Sequence, residues 1–134
     1  MFRVDPHSSV PVFEQIVHEV KGAVASGAIR PGEPIPSVRK LAVDILVNPN
    51  TVAKAYRELE REGLIYTKRG LGFFVSEGVE AACKEDFLDR FRSEAERLVT
   101  QALRAGIAPE TLFDAFEQVM QDRNTPGQNK GEPA

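Results

Sequence analysis

The middle of the chain carries short polar and basic side chains at spacings that a helix brings to one side: Asn50, Thr51, Lys54 and Arg57. The apolar residues between them fall on the opposite side and predict a buried stripe: Val52, Ala55, Tyr56 and Leu59. Asparagine can pair with the edge of adenine, lysine with the acceptors of guanine, and threonine with a phosphate or a thymine methyl group. The polar side is therefore suited to reading bases, although such a stripe on one helix alone is more often only a solvated surface.

Two further clusters of basic residues flank this predicted helix. Arg39 and Lys40 lie in the first turn of the preceding predicted helix, where the positive end of the helix dipole adds to their charge. Lys68 and Arg69 lie at a predicted hairpin tip, and Gly70 allows that tip to approach a partner closely. Three basic clusters in this arrangement favour a polyanionic partner over a merely solvated surface.

The charge of the chain is unevenly distributed. The 134 residues have a net charge of −3, which taken alone argues against a partner as anionic as DNA. Residues 1–78 contain 10 Lys and Arg against 9 Asp and Glu, a net of +1, whereas residues 79–134 contain 7 against 11, a net of −4. The acidity therefore belongs to the C-terminal part and does not oppose DNA binding by the N-terminal part.

Length and hydropathy exclude several classes of protein. A chain of 134 residues is too short for a large multidomain enzyme. It has no apolar run long enough to cross a bilayer and no apolar stretch typical of a secretory signal. The single cysteine, Cys83, excludes an intrachain disulfide. We therefore expect a cytoplasmic protein without membrane contact.

The helix and turn signals of the N-terminal part predict the order helix, helix, turn, helix, hairpin. Capping residues mark the ends of the helices: Gly27, Ser37, Asn48-Pro49 and Gly63. The third helix is expected at about 49–62, and the hairpin that follows at about 64–76. The predicted fold is mainly α with a small β-hairpin, a winged helix-turn-helix.

The C-terminal part predicts two more helices with a long apolar stripe. Its large members are Phe87, Phe91, Leu98, Leu103, Leu112, Phe113 and Phe116. Two isolated helices cannot bury this much apolar surface, so either the N-terminal domain or a second subunit covers it. Because a helix-turn-helix gains specificity from two half-sites, we favour a dimer interface. The predicted division is a DNA-binding domain at 1–78, a dimerisation segment at 79–123 and a disordered tail at 124–134.

A series of short motifs runs through residues 10–76. The motifs are Val12-Phe13-Glu14-Gln15-Ile16, Ile29-Arg30-Pro31-Gly32-Glu33, Ile35-Pro36-Ser37-Val38-Arg39-Lys40-Leu41-Ala42, Val47-Asn48-Pro49-Asn50-Thr51-Val52, Ala55-Tyr56, Leu59-Glu60, Glu62-Gly63-Leu64-Ile65 and Arg69-Gly70-Leu71-Gly72-Phe73-Phe74-Val75. Together they resemble the DNA-binding domain of the GntR family of bacterial transcription regulators.

This resemblance implies a winged helix that binds an inverted-repeat operator as a homodimer, and we expect a repressor. By position in the motifs, Ser37 and Arg39 would contact the DNA backbone or a base from the second helix. The residues implied to enter the major groove are Asn50, Thr51 and Lys54. Gly70 and its neighbours would form the wing contact.

The chain departs from many members of that family at two positions of the third helix. Many members carry arginine where this chain has Pro49 and Ala53, so no base reading is expected from either position. The form Asn48-Pro49-Asn50-Thr51 resembles the short YtrA-type subgroup of the family, as does the short C-terminal segment. That likeness also implies dimerisation through the C-terminal helices.

Other functions leave weaker signals. A winged helix that binds a protein through its third helix is expected to have an acidic or apolar outward face. The outward residues Asn50, Thr51, Lys54 and Arg57 do not match this expectation. A small-molecule sensor with a pocket between two C-terminal segments would leave no motif, so an effector is left open. The isolated His7 and His18 do not predict a metal site, and no constellation predicts catalysis or a cofactor.

Overall fold

The computed structural model describes residues 2–124, which form five helices and one two-stranded hairpin. The elements in chain order are α1 (Val12–Ser26), α2 (Val38–Ile45), α3 (Pro49–Arg61), β1 (Ile65–Lys68), β2 (Gly72–Val75), α4 (Glu80–Arg104) and α5 (Pro109–Asn124). The predicted mainly helical fold with a β-hairpin is confirmed. None of the helices in this described part is both long and apolar enough to cross a membrane.

Helix α1 supplies one wall of the core. It ends where Gly27 adopts a φ of 82° and donates its N–H to the carbonyl of Val24, a conformation that glycine takes without a steric penalty. Its buried face includes Ile16, Val20 and Val24, each at most 1% exposed, as the helical spacing predicts. This face packs against α3.

Helices α2 and α3 form the helix-turn-helix. The Ser37 side chain caps α2 by accepting a hydrogen bond from the N–H of Lys40 at 3.0 Å. The Asn48 side chain caps α3 in the same way, accepting from the N–H of Asn50 at 2.8 Å. Between them the backbone turns at Leu46, whose φ of 57° is unusual for a residue with a side chain and was not predicted from the sequence.

The hairpin follows α3 directly. Strands β1 and β2 are antiparallel, with Ile65 opposite Val75 and Lys68 opposite Gly72. Both strands lie within the range of about 64–76 predicted for the hairpin. The loop before α2 adds a short third element to the wing, because Pro34 forms a bridge with Phe74.

Tyr56 connects α3 to both the loop and the wing. It is 1% exposed, and its hydroxyl donates to the carbonyl of Pro36 at 2.7 Å. Its ring meets the ring of Phe73 edge to face, with the centroids 5.2 Å apart. Burial raises the pKa of the Tyr56 phenol, so the hydroxyl stays protonated and keeps this hydrogen bond.

The chain divides into two compact units within α4, one up to Leu88 and one from Asp89 onward. The sequence placed the division ten residues earlier, between residues 78 and 79. The difference arises because the first turns of α4 pack on the first unit: Cys83 is 2% exposed there, and Asp86 pairs with Lys21 of α1. The predicted tail begins at Asn124, which is the last residue of α5, and its remaining residues lie outside the described part of the chain.

Candidate nucleic-acid interface

Helix α3 separates its polar and apolar side chains onto two sides. Val52, Ala55 and Leu59 are fully buried, as predicted. On the other side lie the members of the polar set, of which Thr51 is half-buried and the others are exposed: Asn50, Thr51, Lys54 and Arg57. The structure thus presents the predicted base-reading residues on one face of a helix whose other face is locked into the core.

Lys54 is held by an aromatic ring from another helix. Its Nζ lies 4.0 Å from the centroid of the Phe13 ring, a distance typical of a cation–π contact. Phe13 is half-buried, and its contact with Lys54 was not predicted from the sequence. The contact leaves Lys54 exposed while restricting where its ammonium group lies.

The start of α2 presents the second basic cluster. Arg39 and Lys40 are both exposed in the first turn. The Nζ of Lys40 lies 3.2 Å from Asp44 one turn later, an exposed ion pair of the kind that contributes little to stability and can open. The hydroxyl of Ser37 is occupied in capping α2, so the structure gives Ser37 a local role in addition to the DNA contact implied by the resemblance.

The wing presents the third cluster. Lys68, Arg69 and Gly70 are exposed, and Gly70 has a φ of 78°, a conformation that favours glycine at the tip. The Nζ of Lys68 lies 4.9 Å from the ring centroid of Phe74, so an aromatic ring orients this lysine as well. Leu71 at the tip is 71% exposed, which was not predicted from the sequence.

The wing is attached to α3 by its own contacts. The Thr67 hydroxyl donates to the Glu60 carboxylate at 2.7 Å, and the N–H of Leu64 donates to the carbonyl of Leu59 at 3.0 Å. These bonds fix the hairpin beside α3.

Arg61, the remaining basic residue of α3, pairs with Glu58. Its Nε lies 3.0 Å from the Glu58 carboxylate. The Arg61 hydrogen bond lowers the pKa of the Glu58 carboxyl, so this pair stays ionised.

The second unit carries an apolar groove between α4 and α5. Its cavity volume is about 400 Å³, and its lining is Phe91, Ala95, Val99, Leu103, Pro109, Leu112, Phe113 and Phe116. Most of the predicted dimer residues therefore lie together. Leu98 does not line the groove, although it is 54% exposed, and Phe87 belongs to the first unit. Val99 was missed, although its i, i+4 spacing from Ala95 and Leu103 was a usable signal.

Residues 2–124 contain no arrangement of side chains that is suited to metal binding or to thiol chemistry. No group of three or more His, Cys, Asp or Glu side chains there is placed to hold a metal ion. Cys83 is buried, and burial raises the pKa of its thiol, which keeps it in the unreactive protonated form.

A helix-turn-helix followed directly by a wing, with exposed basic residues on all three elements, defines a winged-helix DNA-binding protein. Residues 13–75 match the family described as "Bacterial regulatory proteins, gntR family". The chain is 40% identical over 122 residues to the HTH-type transcriptional repressor YtrA of Bacillus subtilis, covering 91% of this chain and 94% of that protein. The chain belongs to the GntR family of transcription regulators.

Solved structures agree with this assignment. A GntR family transcriptional regulator from Listeria monocytogenes has a TM-score of 0.71 and 30% identity, over 86% of this chain and 98% of the other. AraR(DBD) in complex with operator ORX1 has a TM-score of 0.50 and 31% identity, over 55% of this chain and 90% of that one.

Proposed function

We propose that the protein is a transcriptional repressor that binds an inverted-repeat operator as a homodimer. The observation that carries the proposal is the two-sided character of α3, which buries Val52, Ala55 and Leu59 and presents Asn50 and Lys54 to solvent. AraR(DBD), to which this chain is similar, was solved in complex with an operator. YtrA, to which the chain is also similar, is named a repressor. Such a protein acts where the chromosome is, in the cytoplasm.

In this proposal the residues of α3 read the bases in the major groove. Asparagine and lysine donate to base edges, and Thr51 contacts a phosphate or a thymine methyl group. Arg57 lies one turn after Lys54 on the same side and contacts the flanking backbone. Pro49 begins the helix, and the side chain of Ala53 is only a methyl group. Neither side chain has a polar group, so neither contributes a hydrogen bond to a base.

The other two clusters hold the protein on the DNA. Arg39 and Lys40 contact phosphates from the start of α2, assisted by Ser37. Lys68 and Arg69 contact the adjacent backbone or minor groove, and Gly70 lets the tip approach. These contacts supply affinity and register, whereas α3 supplies sequence preference.

Dimerisation belongs to the segment at 79–123 in this proposal. The groove of the second unit is lined by apolar side chains, and several of the large ones remain exposed, including Phe113 at 75%. A monomer rarely leaves such a patch open to water. A second copy that covers it places two recognition helices on half-sites about 34 Å apart, one helical turn of DNA.

Two alanine variants test whether α3 reads bases while α2 contacts phosphates. Lys54→Ala is expected to weaken operator binding by roughly 1 to 3 kcal/mol and to blur sequence preference, because it removes a base contact. Arg39→Ala is expected to weaken binding to operator and random DNA alike and to lower the salt slope by about one unit, because it removes a phosphate contact. Fluorescence anisotropy with both duplexes at several salt concentrations measures each effect.

Arg97→Ala is the matched control for these variants. Arg97 is an exposed basic residue of the second unit whose Nε lies 3.2 Å from Glu94, and it belongs to none of the three clusters. Its removal is expected to leave binding to both duplexes unchanged. Equal losses on operator and random DNA in Lys54→Ala would reject the base-reading role of Lys54.

A further inference from the structure

The lysine proposed to read a base rests on an aromatic ring from another helix of the same unit. The Nζ of Lys54 on α3 lies 4.0 Å from the centroid of the Phe13 ring, and Phe13 lies in the first turn of α1. Both residues belong to the compact unit that ends at Leu88, and α1 packs against α3 within that unit. The contact therefore joins two helices whose relative placement is fixed by a shared core.

The core holds the Phe13 ring in place. Phe13 is half-buried and packs against the buried cluster, and Ile16 and Val17 in the next turn of α1 are 0% and 6% exposed. Lysine, in contrast, carries its ammonium group on a long flexible stem. A ring that is fixed by the core therefore narrows the positions that the ammonium group of Lys54 occupies.

An aromatic ring positions a lysine differently from a carboxylate. Exposed lysines on a helix commonly pair with a carboxylate one turn further on, and such a pair must open before the lysine can bind DNA. In α3 that carboxylate belongs to Glu58, which is paired with Arg61 through an Nε 3.0 Å away. A ring contacts one side of the ammonium group and leaves its other N–H donors free for a base.

Bases and phosphates make different demands on a lysine. The acceptors of a guanine occupy one place in the major groove, whereas phosphates follow both strands and are reached from many positions. Fixing a mobile lysine on a single base costs conformational entropy, and a lysine that is already restricted loses less of it. Restricting Lys54 therefore favours the operator over random DNA.

We propose that Phe13 is a specificity-determining residue, whose ring pre-positions the Lys54 ammonium group for base reading. This inference rests on the proposed reading of bases by α3. Phe13 acts through Lys54, so it is a positioning residue. The sequence preference of the helix-turn-helix then depends on α1, a helix outside that motif.

The test compares the preference of variants of the full chain for operator DNA. Preference is the ratio of the Kd for a scrambled duplex to the Kd for the operator, both measured by fluorescence anisotropy. Phe13→Leu keeps an apolar side chain and removes the ring, and it is expected to lower the preference by about two- to fivefold, the range that an exposed cation–π contact supplies. Phe13→Tyr keeps a ring and is expected to keep the preference.

Phe2→Leu is the matched control. Phe2 is another phenylalanine of the first unit, 9% exposed, and it lines a cleft with Leu41 and Ile45 of α2. Its loss is expected to leave the preference unchanged, because a loss of stability lowers the active fraction equally for both duplexes. In a Lys54→Ala background, Phe13→Leu is expected to have no further effect on the preference, since the two residues act as one unit.

NMR of the free protein tests the contact itself. Protons that lie over the face of an aromatic ring resonate upfield, so the terminal methylene protons of Lys54 are expected upfield in wild type and in Phe13→Tyr. In Phe13→Leu they are expected at the ordinary position of a lysine. Ordinary positions in wild type would overturn the inference, even if Phe13→Leu did not fold.

The binding results that overturn the inference are distinguishable from failure of the proposed function. If Lys54→Ala lowers the preference but Phe13→Leu does not, the positioning role is wrong and the proposed function stands. The same holds if Phe2→Leu lowers the preference as much as Phe13→Leu, or if Phe13→Leu lowers it equally in the Lys54→Ala background. If wild type does not prefer the operator over scrambled DNA, the proposed function fails and the inference fails with it.

Discussion

Replacing Phe91 and Phe113 with glutamate is expected to convert the proposed homodimer into a monomer and to lower its affinity for the operator by about 100-fold or more, because the second half-site no longer binds as an intramolecular event. Both rings line the groove of the second unit, and they are 49% and 75% exposed. Two carboxylates buried in an apolar interface would lose their hydration without gaining a partner. Light scattering measures the mass, and anisotropy with operator DNA measures the affinity.

The control for this variant adds the same charge elsewhere on α4. Ser93→Glu with Thr100→Glu places two carboxylates at exposed positions that do not line the groove. This protein is expected to keep the mass and the operator affinity of wild type. A Phe91→Glu, Phe113→Glu protein of unchanged dimeric mass would show that the groove is not the interface.

Truncating Tyr56 to alanine is expected to lower the free energy of unfolding by about 3 to 5 kcal/mol, as for other large aromatic residues in a core. The ring is 1% exposed, meets Phe73 of the wing and carries the hydroxyl that bonds to the carbonyl of Pro36. Its loss therefore leaves a cavity where α3, the loop and the wing meet. Because small domains have only about 5 to 15 kcal/mol in total, this loss removes a substantial part of the stability of the domain.

Urea unfolding followed by circular dichroism measures this loss, and Tyr56→Phe separates its two parts. The phenylalanine variant keeps the ring and removes only the hydrogen bond to Pro36, so it is expected to lose about 1 kcal/mol. If Tyr56→Ala lost no more than Tyr56→Phe, the ring would not be holding the wing to α3.

Local signals in the sequence account for most of the fold. The third helix begins at Pro49 because the preceding Asn48 caps it, and the first ends at Gly27 because glycine adopts a positive φ there. Each signal acts within a few residues, so it is readable from the chain itself. A turn between α2 and α3 was predicted, but the positive φ of Leu46 was not, because leucine carries no local preference for that conformation.

Contacts between distant segments account for what the sequence could not predict. The Lys54 to Phe13 contact and the pairing of Lys21 with Glu62 and Asp86 join residues on different helices. Periodicity assigns a residue to a face but does not say which side chain it will meet. For the same reason the first turns of α4 were assigned to the C-terminal segment, although they pack on the first unit.

The candidate DNA surface was easier to predict from the sequence than the proposed dimer surface. On α3 the burial of Val52 and Leu59 follows from helical periodicity, and the exposure of Lys54 follows with it. On α4 the apolar residues occupy more than one stripe, and although the spacing of Val99 was a signal, it did not by itself exclude Leu98 from the groove.

Sequence-specific DNA recognition by α3 is tested most directly by fluorescence anisotropy of the purified protein with labelled DNA from upstream of its own gene and with a scrambled duplex, each at several salt concentrations. We expect tight binding that prefers the native sequence and falls steeply with salt, with a slope that counts the phosphate contacts. Absence of binding to either duplex, or equal binding to both at every salt concentration, would contradict sequence-specific DNA recognition by α3.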